Sequence, residues 1–518
     1  MAASSGARDG LSSVTRGTLF LLIATLLYVG LNFVARVILI RDISTDQWNA
    51  FSFALALVGV VAALGSIGLP SAIARCLPYA GSEAERRTIV RSCLVIGGAA
   101  AFFAAAALWG LGPWISTTLG LPDLGPALTA FPIAVGCSAG LTLIAAIFQG
   151  YEDVTPNALY IQILTPALFV AFLVAVLLLP PKGIGYTSAL VTYVAANVAS
   201  LLLAIGYALR RLPRVLSPGP GAPGAVGRLL RFAAPLFIVT LMATLTGYGD
   251  TLVLGAFHPT DVGTYSVSLT LARLLQVGVG AAAYIFLPVA ARLLRNRDLA
   301  AVGVTYVTVT KWMILFSLPL FLLFVFLPAQ SLNIVATAKY TVILLPLQIA
   351  VSGAFLTTAL GPATNAQVAF GQTRLLAYNS VVAAVVDLGL AFVLVPSEGI
   401  TGAAIAWAVG NVAYTALSLV QLAYLTGVHP FRPHFVVPLL ATAVPVGAFL
   451  AFAPISYPWW SLPVIGLAIA GLLVVVVLLT RSVDEGDRLL LGAVEGLVGR
   501  PLPLLRRIGR VGLPRAKP

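Results

Sequence analysis

Fourteen apolar stretches of about 20 residues follow one another along the chain, separated by short gaps that collect the charged residues, Pro and Gly. They run near 17–40, 50–74, 92–111, 126–149, 158–179, 184–208, 232–257, 263–287, 304–328, 340–361, 377–396, 400–425, 435–453 and 458–480. Apolar residues are continuous within each stretch. That excludes the in–out alternation of a membrane-barrel strand and leaves the α-helix as the spanning element. A helix rises 1.5 Å per residue, so about 20 residues cross a hydrocarbon core of about 30 Å. The pattern predicts an all-α polytopic membrane protein with 14 transmembrane helices.

Charge adds orientation. Of the 30 Lys and Arg residues, 24 fall in the N-terminal tail, the C-terminal tail or alternate gaps between them, among them Arg75, Arg86, Arg87 and Arg91, then Arg292, Arg295 and Arg297. Arg41, Lys182 and Lys339 occupy the opposite gaps, and Arg36, Arg273 and Lys311 lie within spans. Basic residues near membrane ends stay on the cytoplasmic side, so both termini are expected there, in a multi-pass protein of the cell membrane. Composition agrees: 60% of the residues are hydrophobic and 9% charged. The net charge of +13 follows from this bias and from attraction to anionic lipid, and calls for no nucleic-acid partner. Arg8 and Arg16 precede the first span without a small-residue cleavage site, so a retained helix is expected rather than a cleaved signal. Cys76, Cys93 and Cys137 show no CxxC spacing, and neither a metal site nor a disulfide is expected.

The sixth gap divides the chain. Residues 209–231 combine five Arg with Pro213, Pro218, Pro220, Pro223 and neighbouring glycines, a composition that reads as a cytoplasmic linker. A six-helix bundle is expected over 1–208 and another over 232–425, followed by a helix pair over 426–480 and a basic amphipathic cytoplasmic tail over 481–518. The two bundles repeat. TDQWNAFSFALAL from Thr45 is echoed by TDVGTYSVSLTLA from Thr260, with Phe51 and Ser52 matching Tyr265 and Ser266 at an offset of 214. Asn197 matches Asn411 at 214, and Pro180 matches Pro396 at 216. Six crossings per copy give both copies one orientation, hence a pseudo-twofold axis along the membrane normal. Transporters with such repeats place their site at the repeat interface and alternate access by rocking.

Ionisable residues inside spans are functional candidates, because each costs about 2.5–3.5 kcal/mol at the bilayer centre on insertion scales. Arg273 lies ten residues into span 8, about 15 Å deep, and Asp387 is similarly central in span 11. Lys311 is nearer the cytoplasmic end of span 9, where its stem can snorkel. Arg36 and Asp250 are 214 residues apart on equivalent first helices, which predicts a cation–anion pair at the external mouth. Separate interfacial snorkelling is the competing explanation.

The arginine-bearing first helix, GLPSAIAR from Gly68, RLLRFAAPLF from Arg228, GDTLVLGAF from Gly249, FLPVAARLL from Phe286, NAQVAFGQTRLL from Asn365 and VPSEGITGAAIAWAVGNV from Val395 come in a recognisable order. Together with the repeated strings, the chain resembles the Wzx-type oligosaccharide flippases of the multidrug/oligosaccharidyl-lipid/polysaccharide superfamily over roughly residues 15–425. The resemblance implies export of a polyprenyl- or dolichyl-linked oligosaccharide whose phosphate passes a cationic cavity. Arg273, Arg36 and Lys311 are then candidate headgroup contacts, with Arg273 first because a guanidinium grips phosphate bidentately. Asn32, Asn365 and Gln367 are candidates for sugar hydroxyls, with helix packing as the plainer role. Asp250 and Asp387, with Arg36, are candidates for gating or ion coupling, the ion being H+ or Na+. Lipid II flippases of this superfamily cluster arginines in the first two helices. Arg36 alone is clearly intramembrane there, which disfavours a peptidoglycan precursor as cargo.

A cation-coupled multidrug antiporter is the alternative within the superfamily, although such proteins normally lack the added helix pair. An integral-membrane glycosyltransferase or polymerase would need an acidic motif in a sizeable external loop, and none is present, so no enzyme is expected. No GxxxxGKS motif occurs, which argues against direct drive by ATP, and no cofactor is expected. The expected partners are the lipid-linked oligosaccharide, membrane lipids and glycan-assembly enzymes, around a monomer. The Ala/Val/Arg-rich, Lys-poor composition fits a GC-rich genome. In an archaeon, this fold would serve N-glycosylation of surface-layer proteins.

Overall fold

The computed structural model describes residues 2–179, 183–212, 222–295, 297–335, 343–430, 433–452, 458–480, 482 and 487. The middle of the expected linker and most of the tail, with Lys182, Lys339, Arg432 and Arg481, lie outside the described residues. Among the described residues the structure is helical and holds no strand. Twelve helices among the described residues are long and apolar enough to cross a membrane. The order begins α1 (Ala2–Asp42), α2 (Thr45–Ser66), α3 (Leu69–Cys76), α4 (Glu83–Leu119), α5 (Leu124–Gly150), α6 (Thr165–Leu178) and α7 (Tyr186–Arg211). It continues α8 (Ala225–Phe257), α9 (Val262–Leu275), α10 (Val277–Arg295), α11 (Leu299–Phe326), α12 (Pro328–Val335), α13 (Leu344–Ala359) and α14 (Ala363–Ala369). The last four are α15 (Thr373–Glu398), α16 (Ile400–Thr426), α17 (Pro433–Phe452) and α18 (Leu462–Leu479).

Several of the fourteen expected spans take a different form, and the second is divided into α2 and α3 at Ile67 and Gly68. The eighth is two helices, α9 and α10, with the break at Gln276, whose N–H bonds to the Arg273 carbonyl in a tight turn. The thirteenth appears as α17, whose apolar part is Val437–Phe452. Residues 157–164 before α6 form a π-helical turn. Pro166 follows it and has no N–H to return to the Gln162 carbonyl, so the regular i→i−4 ladder cannot continue. The Tyr160 carbonyl instead accepts from the hydroxyls of Thr165, at 2.7 Å, and Ser200, at 2.8 Å.

The helices form two compact units that do not follow chain order. One comprises Ile23–Ser266 and Asp387–Ala406; the other Met1–Leu22, Val267–Val386 and Trp407–Pro518. In the first, α5 is central and packs on α2, α3, α4 and α7. An aromatic cluster ties these elements: Phe51 meets Phe131 edge-on with centroids 5.4 Å apart, and Tyr193 meets Phe169 at 5.3 Å. Such pairs add about 0.5–1.5 kcal/mol each beyond the area they bury. Helix α4 has the opposite character, exposing Phe102, Phe103, Trp109 and Trp114. A helix apolar around its circumference and exposed on one side is one that faces lipid.

Helices α2 and α8 run close along their length because glycines replace side chains at the contacts. A Cβ on Gly255 would come within 2.1 Å of the Phe53 ring, and one on Gly59 within 2.7 Å of the Tyr248 ring. At the end of α2, Gly68 adopts a φ of +68° and lies so near α8 that a Cβ would stand 2.5 Å from the Ala233 carbonyl oxygen. In the second unit, α11 is the most enclosed crossing and packs on α10, α13, α17 and α18.

Candidate functional site

A cluster of buried acids forms where α8, α9, α15 and α16 meet inside the first unit. Asp250 is near the end of α8 and Asp387 lies in α15; both are completely buried. Gly249 brings the two helices together, since a Cβ there would meet the Leu388 side chain at 2.6 Å. Asp387 is near enough to feel the charge of Asp250. Neither carboxyl oxygen of Asp387 has a hydrogen-bond partner. A buried carboxylate left in that condition is expensive unless it carries a proton or meets a cation.

Tyr265 of α9 contacts the second acid. Its hydroxyl lies in hydrogen-bonding contact with Asp250 Oδ2 and 3.2 Å from the Ala403 carbonyl oxygen of α16. A phenol has one proton and a carbonyl has none. The single proton of Tyr265 is directed toward the Asp250 carboxyl and the Ala403 carbonyl. The Thr251 hydroxyl stands 3.5 Å from Asp250 Oδ1. Oxygen donors suit a proton or a hard monovalent cation. Among the described residues no group of three or more His, Cys, Asp or Glu could hold a metal ion, and the three cysteines are free thiols.

The other sequence candidates lie on α1, α9, α11 and α14. Arg36 is half-buried on α1 and acts electrostatically on Tyr193, which Tyr28 and Tyr248 also face. The Asn32 side chain donates to the Tyr28 carbonyl of its own helix at 2.8 Å. Arg273 is half-buried near the end of α9, and Asn365 half-buried on α14. Lys311 is buried in α11, its ammonium 2.6 Å from Asp487 Oδ2 and 3.0 Å from the Ser482 carbonyl oxygen. The Trp312 indole donates to the other Asp487 oxygen at 2.7 Å. A headgroup could use Lys311 only by displacing this pair. Gln367 is also engaged, donating to Gln421 at 2.8 Å within an amide cluster that includes Asn379 and Ser418.

The sequence singled out Asp250 and Asp387 but not Tyr265 or the residues around the first turns of α2 and α9. There the Trp48 indole donates to the Gly263 carbonyl at 3.0 Å, and Asn49 accepts from the Gly263 N–H at 2.8 Å. The Ser52 and Ser266 hydroxyls lie 3.1 Å apart. Their signal was present in the TDQWNAFS and TDVGTYS strings, legible as a repeat but not as a contact.

A family model described as "Polysaccharide biosynthesis protein" matches residues 14–294. Among solved structures, the chain is similar to one titled "Lipid II flippase MurJ, inward closed conformation", with a TM-score of 0.70, 12% identity, and coverage of 88% of this chain and 98% of that one. A multidrug resistance MATE family transporter of the MOP superfamily, in an inward-facing conformation, gives a TM-score of 0.63 at 14% identity, covering 78% and 98%. A MOP superfamily transporter from Pyrococcus furiosus gives 0.54 at 13% identity, covering 80% and 98%. At these identities the likeness is one of fold. No curated protein matches the chain.

Proposed function

This chain belongs to the polysaccharide biosynthesis protein family, and on that footing we propose that it is a flippase carrying a lipid-linked oligosaccharide from the cytoplasmic to the outer leaflet. The observation that carries the reading is the family match across residues 14–294. The fold it shares with a lipid II flippase and multidrug transporters supports transport rather than catalysis. The topology that goes with the proposal has fourteen crossings and both termini in the cytoplasm, with transport by alternating access.

In this reading the headgroup phosphate is met by Arg273. At the repeat offset of 214, the residue corresponding to Arg273 is Gly59, which the packing of Tyr248 keeps free of a side chain. The guanidinium is thus no requirement of the shared helix pattern, which favours a role in the chemistry of the cargo. The burial of Asp387 beside Asp250, with no hydrogen bond to either Asp387 oxygen, supports coupling to H+ or Na+, because a proton or cation would offset the cost of a buried carboxylate. An outward-directed sugar carrier needs some such source of direction, or consumption of the cargo outside.

The test is export by Arg273 variants in a strain lacking its own flippase. Arg273→Ala should insert normally yet leave lipid-linked oligosaccharide inside, and Arg273→Lys should restore part of the export, since a point charge loses the bidentate grip. Full export by the alanine variant would remove Arg273 from the headgroup path.

A further inference from the structure

Lys311 is a buried ammonium in the middle of the second unit, and the end of the chain returns to meet it. Helix α18 stops at Leu479, where the backbone turns: the Ser482 N–H bonds to the Val477 carbonyl at 3.1 Å, and the Thr480 and Ser482 hydroxyls lie 2.8 Å apart. The turn aims the Ser482 carbonyl at Lys311 Nζ, 3.0 Å away, so the ammonium stands at the negative end of the α18 dipole. Farther along, the Asp487 carboxylate fits between two neighbouring side chains of α11. Its Oδ2 is 2.6 Å from Lys311 Nζ, and its Oδ1 accepts from the Trp312 indole at 2.7 Å. An ammonium and an indole N–H thus grip the two oxygens of one buried anion. A buried ion pair seldom stabilises a fold more than apolar residues of the same volume would. Stability alone therefore gives no reason for a lysine at this depth.

We propose that Lys311 and Trp312 form a binding site for the phosphate of a membrane lipid, and that Asp487 is a tethered occupant that such a lipid displaces. The site rests on the transport reading above, in which a lipid phosphate crosses the membrane, and gives that transport a point of control in the chain's own tail. The donors suit the ligand. A phosphate ester carries its charged oxygens on one centre, as the carboxylate does, and an ammonium binds phosphate as a point charge. The approach suits a lipid as well. Phe316 packs on Trp312 with centroids 5.9 Å apart and is 70% exposed; one turn along α11 it shares the Trp312 face and offers an apolar surface to a lipid chain. The tether decides between a lipid and a free ion. A ligand on a short linker competes at an effective concentration of the order of mM, which a dilute ion in water does not match and a lipid confined to the same bilayer does.

The test uses the full-length protein in detergent. Asp487→Asn keeps the shape and strands the ammonium, so it should melt at a lower temperature than wild type. Polyprenyl phosphate should raise that temperature again, increasingly with its concentration, and should raise it less in wild type, where the site is filled. Lys311→Met with Asp487→Leu has neither charge and should not respond. Phosphatidylglycerol and inorganic phosphate are the parallel arms. A gain with polyprenyl phosphate alone supports the site and assigns it to the carrier of the cargo; a gain with phosphatidylglycerol supports it and assigns it to bilayer lipid. A gain with inorganic phosphate alone, no gain, or equal gains in all three proteins overturns it. A second measurement keeps Asp487 in place and does not depend on the folding of its variant. In a background with Cys76, Cys93 and Cys137 replaced by Ala, Ser482→Cys puts a thiol at a position buried in the clasp. The lipid phosphate should raise its labelling by a maleimide about tenfold, the effect of a modest shift between held and released tail. Labelling that neither lipid changes overturns the tethered occupant. If lipid phosphate acts as expected while the intact protein moves no lipid-linked sugar, the cargo assignment fails and the site stands.

Discussion

Asp387 has two buried carboxyl oxygens and no hydrogen bond to either, beside Asp250, whose carboxyl accepts from the Tyr265 hydroxyl. Asp387→Asn keeps the shape and removes the carboxyl group that a proton or cation would neutralise. It should insert at wild-type levels, and its transport should lose dependence on an imposed H+ or Na+ gradient. Gradient-dependent transport that persists in the variant would separate Asp387 from coupling. Tyr265→Phe removes the hydroxyl that meets Asp250 and the Ala403 carbonyl, a loss of about 1–3 kcal/mol, read as a lowered melting temperature in detergent. Removing Asp387 as well should lessen that loss if the residues act as one cluster. The acids were legible in the sequence because a carboxylate in a 20-residue apolar run has no ordinary explanation. Tyr265 was not, because tyrosine near the end of a span is a common membrane-interface residue.

At the scale of elements, the lengths and order of the crossings follow from hydropathy, whereas breaks within them do not. The run 263–287 contains no proline, and its division at Gln276 leaves no mark in an apolar pattern. The π turn before α6 had a marker in Pro166, which local chemistry explains once the helix is known to be continuous there. Lys311 shows a different limit. Its position suggested snorkelling or a cargo contact, but its partner Asp487 lies 176 residues away in a tail that reads as a lipid-surface anchor. A pairing that distant has no periodicity to reveal it. Removing one member of a fully buried ion pair is strongly destabilising, while replacing both by apolar groups is often neutral. Lys311→Ala should therefore cost about 3–5 kcal/mol in unfolding experiments, and Lys311→Met with Asp487→Leu should recover most of it. Equal losses in the single and double variants would mean that the pair contributes through packing alone.

For the whole molecule, charge asymmetry and repetition carry more than any motif. The asymmetry sets an expected orientation: single cysteines at Pro220 and Lys517 should react from the cytoplasm, and one at Ser397 from outside. Reaction of the Pro220 position with an impermeant reagent in intact cells would reverse the assignment. Helix α8 packs with the helices before it through Gly59, Gly68 and Gly255. Glycine in an apolar run reads as a weak helix former, and its use as a contact surface emerges only in three dimensions. The family reading makes one claim above the rest, that the cargo is a lipid-linked sugar. It is tested by reconstituting the purified protein in vesicles bearing a fluorescent polyprenyl-pyrophosphate oligosaccharide and following its exposure to an impermeant quencher. The account predicts protein-dependent transfer between leaflets that Arg273→Ala abolishes; cargo that stays in its leaflet, in protein that instead expels cationic dyes, would contradict it.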